Sequence, residues 1–179
     1  MRPEERYKPA FVRPKRWFKR GDYKKVQKQK VFGMTTSTGK CLAILLPKPF
    51  TAAKWASLVK TRVHPFLKKV FPHKRQYRVL LDGETVLRAE PVQAAIAQTG
   101  LKFLEGWPSS SPELNPQENV WPSAEEAIRK AGDDDDTFED FQNRCVKAVT
   151  NYVGAGNLVG SMAKRLRMVK EAKGAMIPK

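Results

Sequence analysis

The chain has 179 residues, of which 41% are hydrophobic, a proportion that suits one domain of ordinary size and excludes a wholly disordered chain. Lys and Arg total 34 against 18 Asp and Glu, which gives a net charge of +16. The sequence shows no apolar run long enough to span a bilayer and no secretory signal. Its two cysteines cannot form a disulfide framework, so we expect a reducing compartment.

The positive charge is concentrated in the first part of the chain. Residues 1–81 carry 22 basic and 3 acidic side chains, whereas residues 82–179 carry 12 basic and 15 acidic ones. A field of this sign attracts polyanions and gives salt-sensitive binding through counterion release. The charge therefore favours a nucleic-acid partner over an anionic membrane surface, because no basic stretch has a clear apolar helical face. A ribosomal-type or merely soluble basic protein is the alternative that charge leaves open.

Residues 1–29 are rich in proline and charge and show little periodicity, which predicts a basic arm with one short strand near residues 10–12. The side chains expected to contact DNA are Arg13, Lys15, Arg16, Lys19, Arg20, Lys24, Lys25, Lys28 and Lys30. The same stretch fits a nuclear address equally well, and sequence does not separate the two.

The next elements are a predicted hairpin and a long helix. Two apolar runs, residues 31–35 and 41–46, flank a turn that contains Gly39, a pattern typical of a β-hairpin. A helical pattern follows over residues 51–70, and its basic side chains are expected to add to DNA binding. Pro65 should kink or break this helix, because proline lacks an N–H and clashes with the preceding turn.

The remaining pattern alternates strands and helices. Residues 77–81 indicate a buried strand, 89–99 a helix closed by Gly100, and 101–104 a short strand. After a loop over 105–115 come helices, one of which Thr137 and Asp140 should cap, and the last of which is expected over residues 157–172. A hairpin followed by alternating elements predicts an α/β sheet with mixed strand directions.

Two carboxylates occupy positions suited to a site. Asp82 comes directly after a predicted buried strand, where open α/β sheets bind ligands, although an Asp-Gly pair is also a common turn. Asn115 as N-cap and Pro116 as first helical residue place Glu118 in the first turn of a helix. The helix dipole there favours the ionised form, which is ready for a hard cation. The alternative is that Glu118 completes a capping box with Asn115.

The segment around Glu118 resembles a known catalytic block. Residues 110–121, Ser-Ser-Pro-Glu-Leu-Asn-Pro-Gln-Glu-Asn-Val-Trp, resemble the third block of the Tc1/mariner transposases, whose pattern is close to S-P-D-L-N-P-I-E-N-x-W. The strand that ends at Asp82 is similar to the block with that family's second acid. Residues 31–40 resemble its V-W-G-x-x-x-x-x-G-K hairpin, and residues 161–165 and 173–174 its S-M-x-x-R and K-G positions.

This resemblance implies an RNase H-like fold, a mixed sheet flanked by helices, in a partial transposase domain over residues 30–176. It implies a DDE-type acid triad that binds two Mg²⁺ or Mn²⁺ ions and cuts and joins DNA strands. Asp82 would bridge the metals, and Glu118 would hold one and help to orient the nucleophile. Such a protein would act on DNA in the nucleus, or in the cytoplasm of a bacterium, without a membrane or a small-molecule substrate. Whether the protein forms a homodimer is left open.

The chain departs from the family pattern at the first acid. By extrapolation, the strand that carries this acid would precede residue 1. The acids before Asp82 are Glu4, Glu5 and Asp22, and none of them ends an apolar run. We therefore expect the first strand to be missing and catalysis to be weak or absent. The rivals are a domesticated, non-enzymatic DNA-binding protein and a basic structural RNA-binding protein.

Two smaller departures concern the blocks themselves. Gly83 and Leu87 stand where the family's second block has Asn and His. Pro122 follows Trp121, so we expect the helix either to kink there or to restart with Ser123 as its cap. His64 and His73 match no ligand spacing.

Overall fold

The computed structural model of the chain describes residues 29–81, 86, 89–104, 111–132 and 137–174. Within them, the elements follow the predicted order. The strands are β1 (Val31–Thr35), β2 (Cys41–Leu45), β3 (Tyr77–Val79) and β4 (Leu101–Phe103). The helices are α1 (Ala52–Leu58), α2 (His64–Val70), α3 (Glu90–Ala97), α4 (Gln117–Lys130), α5 (Phe138–Thr150), α6 (Ala155–Gly160) and α7 (Met162–Glu171). A π-helical segment (Val59–Val63) joins α1 to α2, and a 3-10 turn (Pro112–Leu114) precedes α4.

The chain divides into two compact units. The first comprises Met1–Leu46 and Pro116–Val159, and the second Pro47–Asn115 and Gly160–Lys179. The predicted α/β class is confirmed, with small sheets: β1 pairs antiparallel with β2, and β3 pairs parallel with β4. The described residues therefore hold both predicted strand directions, but in two separate two-stranded sheets. None of the described helices is long and apolar enough to cross a membrane.

The predicted hairpin is confirmed in the first unit. Thr36 closes its turn, because both its backbone N–H (3.0 Å) and its hydroxyl (2.7 Å) donate to the Lys40 carbonyl. Gly39 has φ +84°, a left-handed conformation that glycine adopts without a Cβ clash. Beyond the strands, the N–H of Leu46 donates to the carbonyl of Lys30 at 2.9 Å. The two apolar runs thus form the paired strands, and Gly39 takes the turn position, as the sequence predicts.

The core of the first unit lies between the hairpin and two helices. Val120 of α4 is fully buried, and it clusters with Ala124 of the same helix, Val149 of α5 and Ala43 of β2. The two alanines leave room for the helices and strand to approach closely. Since buried side chains pack at nearly crystalline density, this cluster fixes where α4 lies on the hairpin.

The predicted capping box at the start of α5 is confirmed. The N–H of Asp140 donates to the Thr137 hydroxyl at 3.1 Å, and the N–H of Thr137 donates to the Asp140 carboxylate at 2.9 Å. The Thr137 hydroxyl, which donates to the Asp140 carboxylate at 2.6 Å, and next the Thr137 N–H hold the pKa of the Asp140 carboxyl below its ordinary value.

In the second unit, the predicted break at Pro65 does not occur: the chain stays helical through it, and a π-helical segment interrupts the α-helical hydrogen bonding just before it. The Thr51 hydroxyl caps α1 by accepting from the N–H of Lys54 at 3.3 Å. The π-helical segment then leads into α2, which has Pro65 in its first turn. The wider π turn suits a proline, which supplies no N–H and crowds the carbonyl one turn back.

The π-helical segment also keeps the apolar side of this helix in line. Buried side chains recur every four residues, at Trp55, Val59, Val63 and Leu67. In an uninterrupted α-helix, side chains spaced four residues apart move gradually around the helix axis. A π turn has less rotation per residue, so it brings the following side chains back towards the same side. The exposed positions of the stretch include five basic residues: Lys54, Lys60, Arg62, Lys68 and Lys69.

The parallel pair β3–β4 is buried on one face. Tyr77 and Val79 are 7% and 8% exposed, and the Tyr77 ring lies edge-on to His64 at 6.2 Å between centroids. Arg78, between them, is exposed, so the prediction of a buried strand is right for one face and wrong for the other. Gly100, with φ +70°, ends the stretch after α3 as predicted.

Two helix predictions need correction. The expected helix over 157–172 is two helices, because α6 ends at Gly160, a poor helix former, and α7 begins at Met162. The restart at Ser123 is wrong, because α4 runs without interruption through Pro122. Burial of neighbouring side chains on α4 stabilises the helix enough to offset a proline cost of about 3 kcal/mol.

Replacing Val120 by Ala should lower the free energy of unfolding by about 2 kcal/mol, because it removes buried methyl groups and leaves a cavity. Val153→Ala is the matched control: this side chain is 89% exposed, so a change within about 0.5 kcal/mol is expected. Urea titration measures both. Equal effects of the two substitutions would contradict the assigned core.

Candidate metal site

Glu118 lies in the first turn of α4, as predicted, and its side chain is half-buried. Its neighbours Gln117 and Val120 are buried against the first unit, at 9% and 0% exposure. The backbone N–H groups at this end of the helix favour a negative charge. A carboxylate in this setting is an oxygen donor that hard divalent cations prefer, and partial exposure leaves room for their water ligands.

The entry to α4 lies one residue later than predicted. The helix begins at Gln117, and Pro116, already helical (φ −55°, ψ −31°), takes the cap position predicted for Asn115, which is extended (φ −90°, ψ 109°). Leu114, just before them, is 1% exposed and anchors the 3-10 turn. Within the described residues, Glu118 does not complete a capping box with Asn115. The alternative role for this carboxylate is therefore not supported.

Gly33 of β1 lies against the first turns of α4. A Cβ placed on Gly33 would collide with the side-chain amide of Gln117 and would come within 2.7 Å of the Trp121 ring. Only glycine allows these two side chains to pack directly on the strand. Sequence reasoning identified Gly33 by family resemblance alone; the close approach of strand and helix is its physical role.

Arg165 of α7 holds the turn that precedes Asn115. Its Nε–H donates to the carbonyl of Glu113 at 2.7 Å, a charge-assisted hydrogen bond in the second unit. The Glu113 residue is 8% exposed. The sequence marked Arg165 by resemblance, but its partner is visible only in the fold, because 52 residues separate the two.

Asp82 lies outside the described residues, so its pairing with Glu118 stays a prediction. The structure describes the strand before it, and Leu81, the preceding residue, is 8% exposed. Also outside the described residues are Glu4, Glu5, Asp22 and the arm residues Arg13, Lys15, Arg16, Lys19, Arg20, Lys24, Lys25 and Lys28. Lys30 is described and exposed.

The described residues offer no competing metal site. Among them, no group of three or more His, Cys, Asp or Glu side chains is placed to hold an ion. His64 packs against Tyr77 and His73 is exposed, as expected of residues that match no ligand spacing. Cys41 and Cys145 are buried free thiols, and burial raises the pKa of Cys145 to about 11. Such a thiol is neutral at pH 7 and a poor ligand.

Comparison with known proteins gives one family match. The family model described as DDE superfamily endonuclease matches residues 4–141, a span that includes both Asp82 and Glu118. No curated protein matches the chain.

Gly33→Ala should destabilise the chain by about 1–3 kcal/mol, because the new methyl group overpacks the contact with Gln117 and Trp121. The control is Gly160→Ala, since a Cβ there meets no atom within 4 Å and alanine favours the helix. Thermal unfolding should show a lower Tm for the first variant and an equal or higher Tm for the second. A Gly33→Ala variant as stable as the parent would contradict the close approach.

Proposed function

The chain belongs to the DDE superfamily endonucleases, and we propose that it is the strand-cleavage domain of a Tc1/mariner-type transposase, with Asp82 and Glu118 as two of its catalytic acids. Membership of the family supports nucleic-acid cleavage as the ancestral activity. The observation that carries the proposal is the placement of Glu118, half-buried in the first turn of α4 directly after the Asn115-Pro116 entry.

Asp82 and Glu118 would hold Mg²⁺ or Mn²⁺. Carboxylates suit these ions, whereas the described Cys and His residues do not form a zinc site. Two such ions, when bound, stabilise the entering and leaving oxygens of a phosphodiester displacement. The part of Glu118 is to hold one ion and orient the nucleophile from a rigid helix, and the packing of α4 on Gly33, together with the burial of Val120 in the core, supports that rigidity.

The strands are compatible with the mixed sheet of an RNase H-like fold. Within the described residues, β1 and β2 pair antiparallel and β3 and β4 pair parallel, so both strand directions are present. Parallel strands normally belong to larger sheets covered on both faces.

We expect little or no catalysis by these residues alone, because none of the acids before Asp82 ends an apolar run. With Mg²⁺ or Mn²⁺, nicking of supercoiled plasmid should be absent or very weak. The Asp82→Ala and Glu118→Ala variants should then match the parent, as should Glu125→Ala, an exposed carboxylate on the same helix.

Robust metal-dependent nicking by the parent would contradict this expectation. If Asp82→Ala and Glu118→Ala abolish that activity while Glu125→Ala retains it, the site is right and one of the acids before Asp82 completes it.

The charge distribution supports DNA as the partner. Residues 29–81 contain eleven Lys and Arg residues and no acid. On the helical stretch over 52–70, Lys54, Arg62 and Lys69 are exposed and recur about every two turns, so they share one side. This also favours the second candidate function, a DNA-binding protein that has kept the fold and lost catalysis.

DNA binding should weaken steeply with salt. The triple variant Lys54→Gln, Arg62→Gln and Lys69→Gln should reduce the slope of log K against log salt by about 2 to 3, since each lost phosphate contact removes about 0.9. The matched control removes two Lys and one Arg from exposed positions of α7: Lys164, Arg167 and Lys170. Gel-shift titration of a short duplex measures both.

Parent binding that is absent or indifferent to salt would refute DNA binding. Equal slope changes in the two triple variants would refute the assignment to the helical stretch.

A further inference from the structure

One face of the β3–β4 pair carries two neighbouring, exposed cations. In the parallel register, Tyr77 lies opposite Leu101 and Arg78 opposite Lys102. The first pair is buried, whereas Arg78 and Lys102 are both exposed. Directly paired residues project from the same face of a sheet, so the two positive side chains stand side by side.

This arrangement costs stability in the isolated protein. Like charges directly opposite one another on neighbouring strands repel. Within the described part of the chain, no carboxylate forms an ion pair with Arg78 or Lys102. An apolar helix, the usual cover of a parallel sheet, would have to desolvate both cations. The face is therefore suited to an anion.

We infer that Arg78 and Lys102 form a two-cation clamp for the phosphodiester backbone of DNA, an assignment that rests on the proposed function. The planar guanidinium of Arg78 pairs with two oxygens of one phosphate, and the Lys102 ammonium adds a compact charge beside it. Arg78 precedes Asp82 by four residues on the same strand direction.

The clamp and the basic helical stretch over residues 52–70 are different surfaces. Tyr77, on the opposite face of β3, packs against His64 and Phe71, the residues at the beginning and just after the end of α2. Arg78 thus projects away from that helix. Removing the clamp and removing the helical cations test different surfaces.

The test is the double variant Arg78→Gln and Lys102→Gln. On a DNA duplex, its slope of log K against log salt should be about 1 to 2 less steep than that of the parent. Without DNA, its Tm should rise by about 1–3 °C, because the like-charge pair is relieved. Lys164→Gln with Arg167→Gln on α7 is the control, since it removes one Lys and one Arg from exposed positions; it should leave the slope unchanged.

Arg78→Lys, which keeps the charge, should retain the slope of the parent while losing affinity through the two-oxygen contact. Parent binding with an unchanged slope in the double variant overturns the clamp alone, whereas a parent that binds no DNA overturns the proposed function as well. A slope change seen with an RNA duplex and not with DNA overturns the choice of DNA. A lower Tm for the double variant, the sign of a carboxylate partner within the protein, overturns the clamp too.

Discussion

The approach of β1 to the first turns of α4 is the contact on which the candidate site depends. At Gly33 the strand presents a hydrogen where other residues have a Cβ, so Gln117 and Trp121 pack directly on it. Val120, fully buried one turn into the helix, fixes the same contact from the core side. Glu118 lies between these anchors, and its carboxylate therefore projects from a rigid element, which a metal ligand requires.

Charge distribution and sheet structure point to the same partner. Residues 29–81 contain no acid, so they create a positive field that attracts polyanions over a long range. Arg78 and Lys102 form a local pair of like charges, and a bound anion would relieve the repulsion between them. Catalysis needs a complete set of acids, but backbone binding does not. A member of this family can thus lose cleavage and still retain its hold on DNA, which is why the two candidate functions share so many features.

Features set by adjacent residues were predictable from sequence, and features set by packing were not. The hairpin turn at Gly39 and the Thr137–Asp140 capping box follow from local chemistry, and both are confirmed. Pro65 predicted a kink or a break, but the helix continues past it through a π-helical segment that keeps the buried side chains from Trp55 to Leu67 aligned, and no local signal indicates this. The continuity of α4 through Pro122 depends on the burial of Val120 and Ala124 on the same helix, and the residues next to Pro122 in the sequence do not indicate this burial. Asp82 and the basic arm lie outside the described residues and stay predictions.

The central claim is that Asp82 and Glu118 hold divalent metal together. Calorimetric titration of Mn²⁺ into the parent, Asp82→Asn, Glu118→Gln and the double variant tests it most directly, with Glu125→Gln as control. If the two carboxylates share ions, each single substitution weakens binding strongly and the double variant is little worse than either, because the effects of shared ligands do not add. Unchanged binding in both single variants, or losses that simply add, would contradict the account.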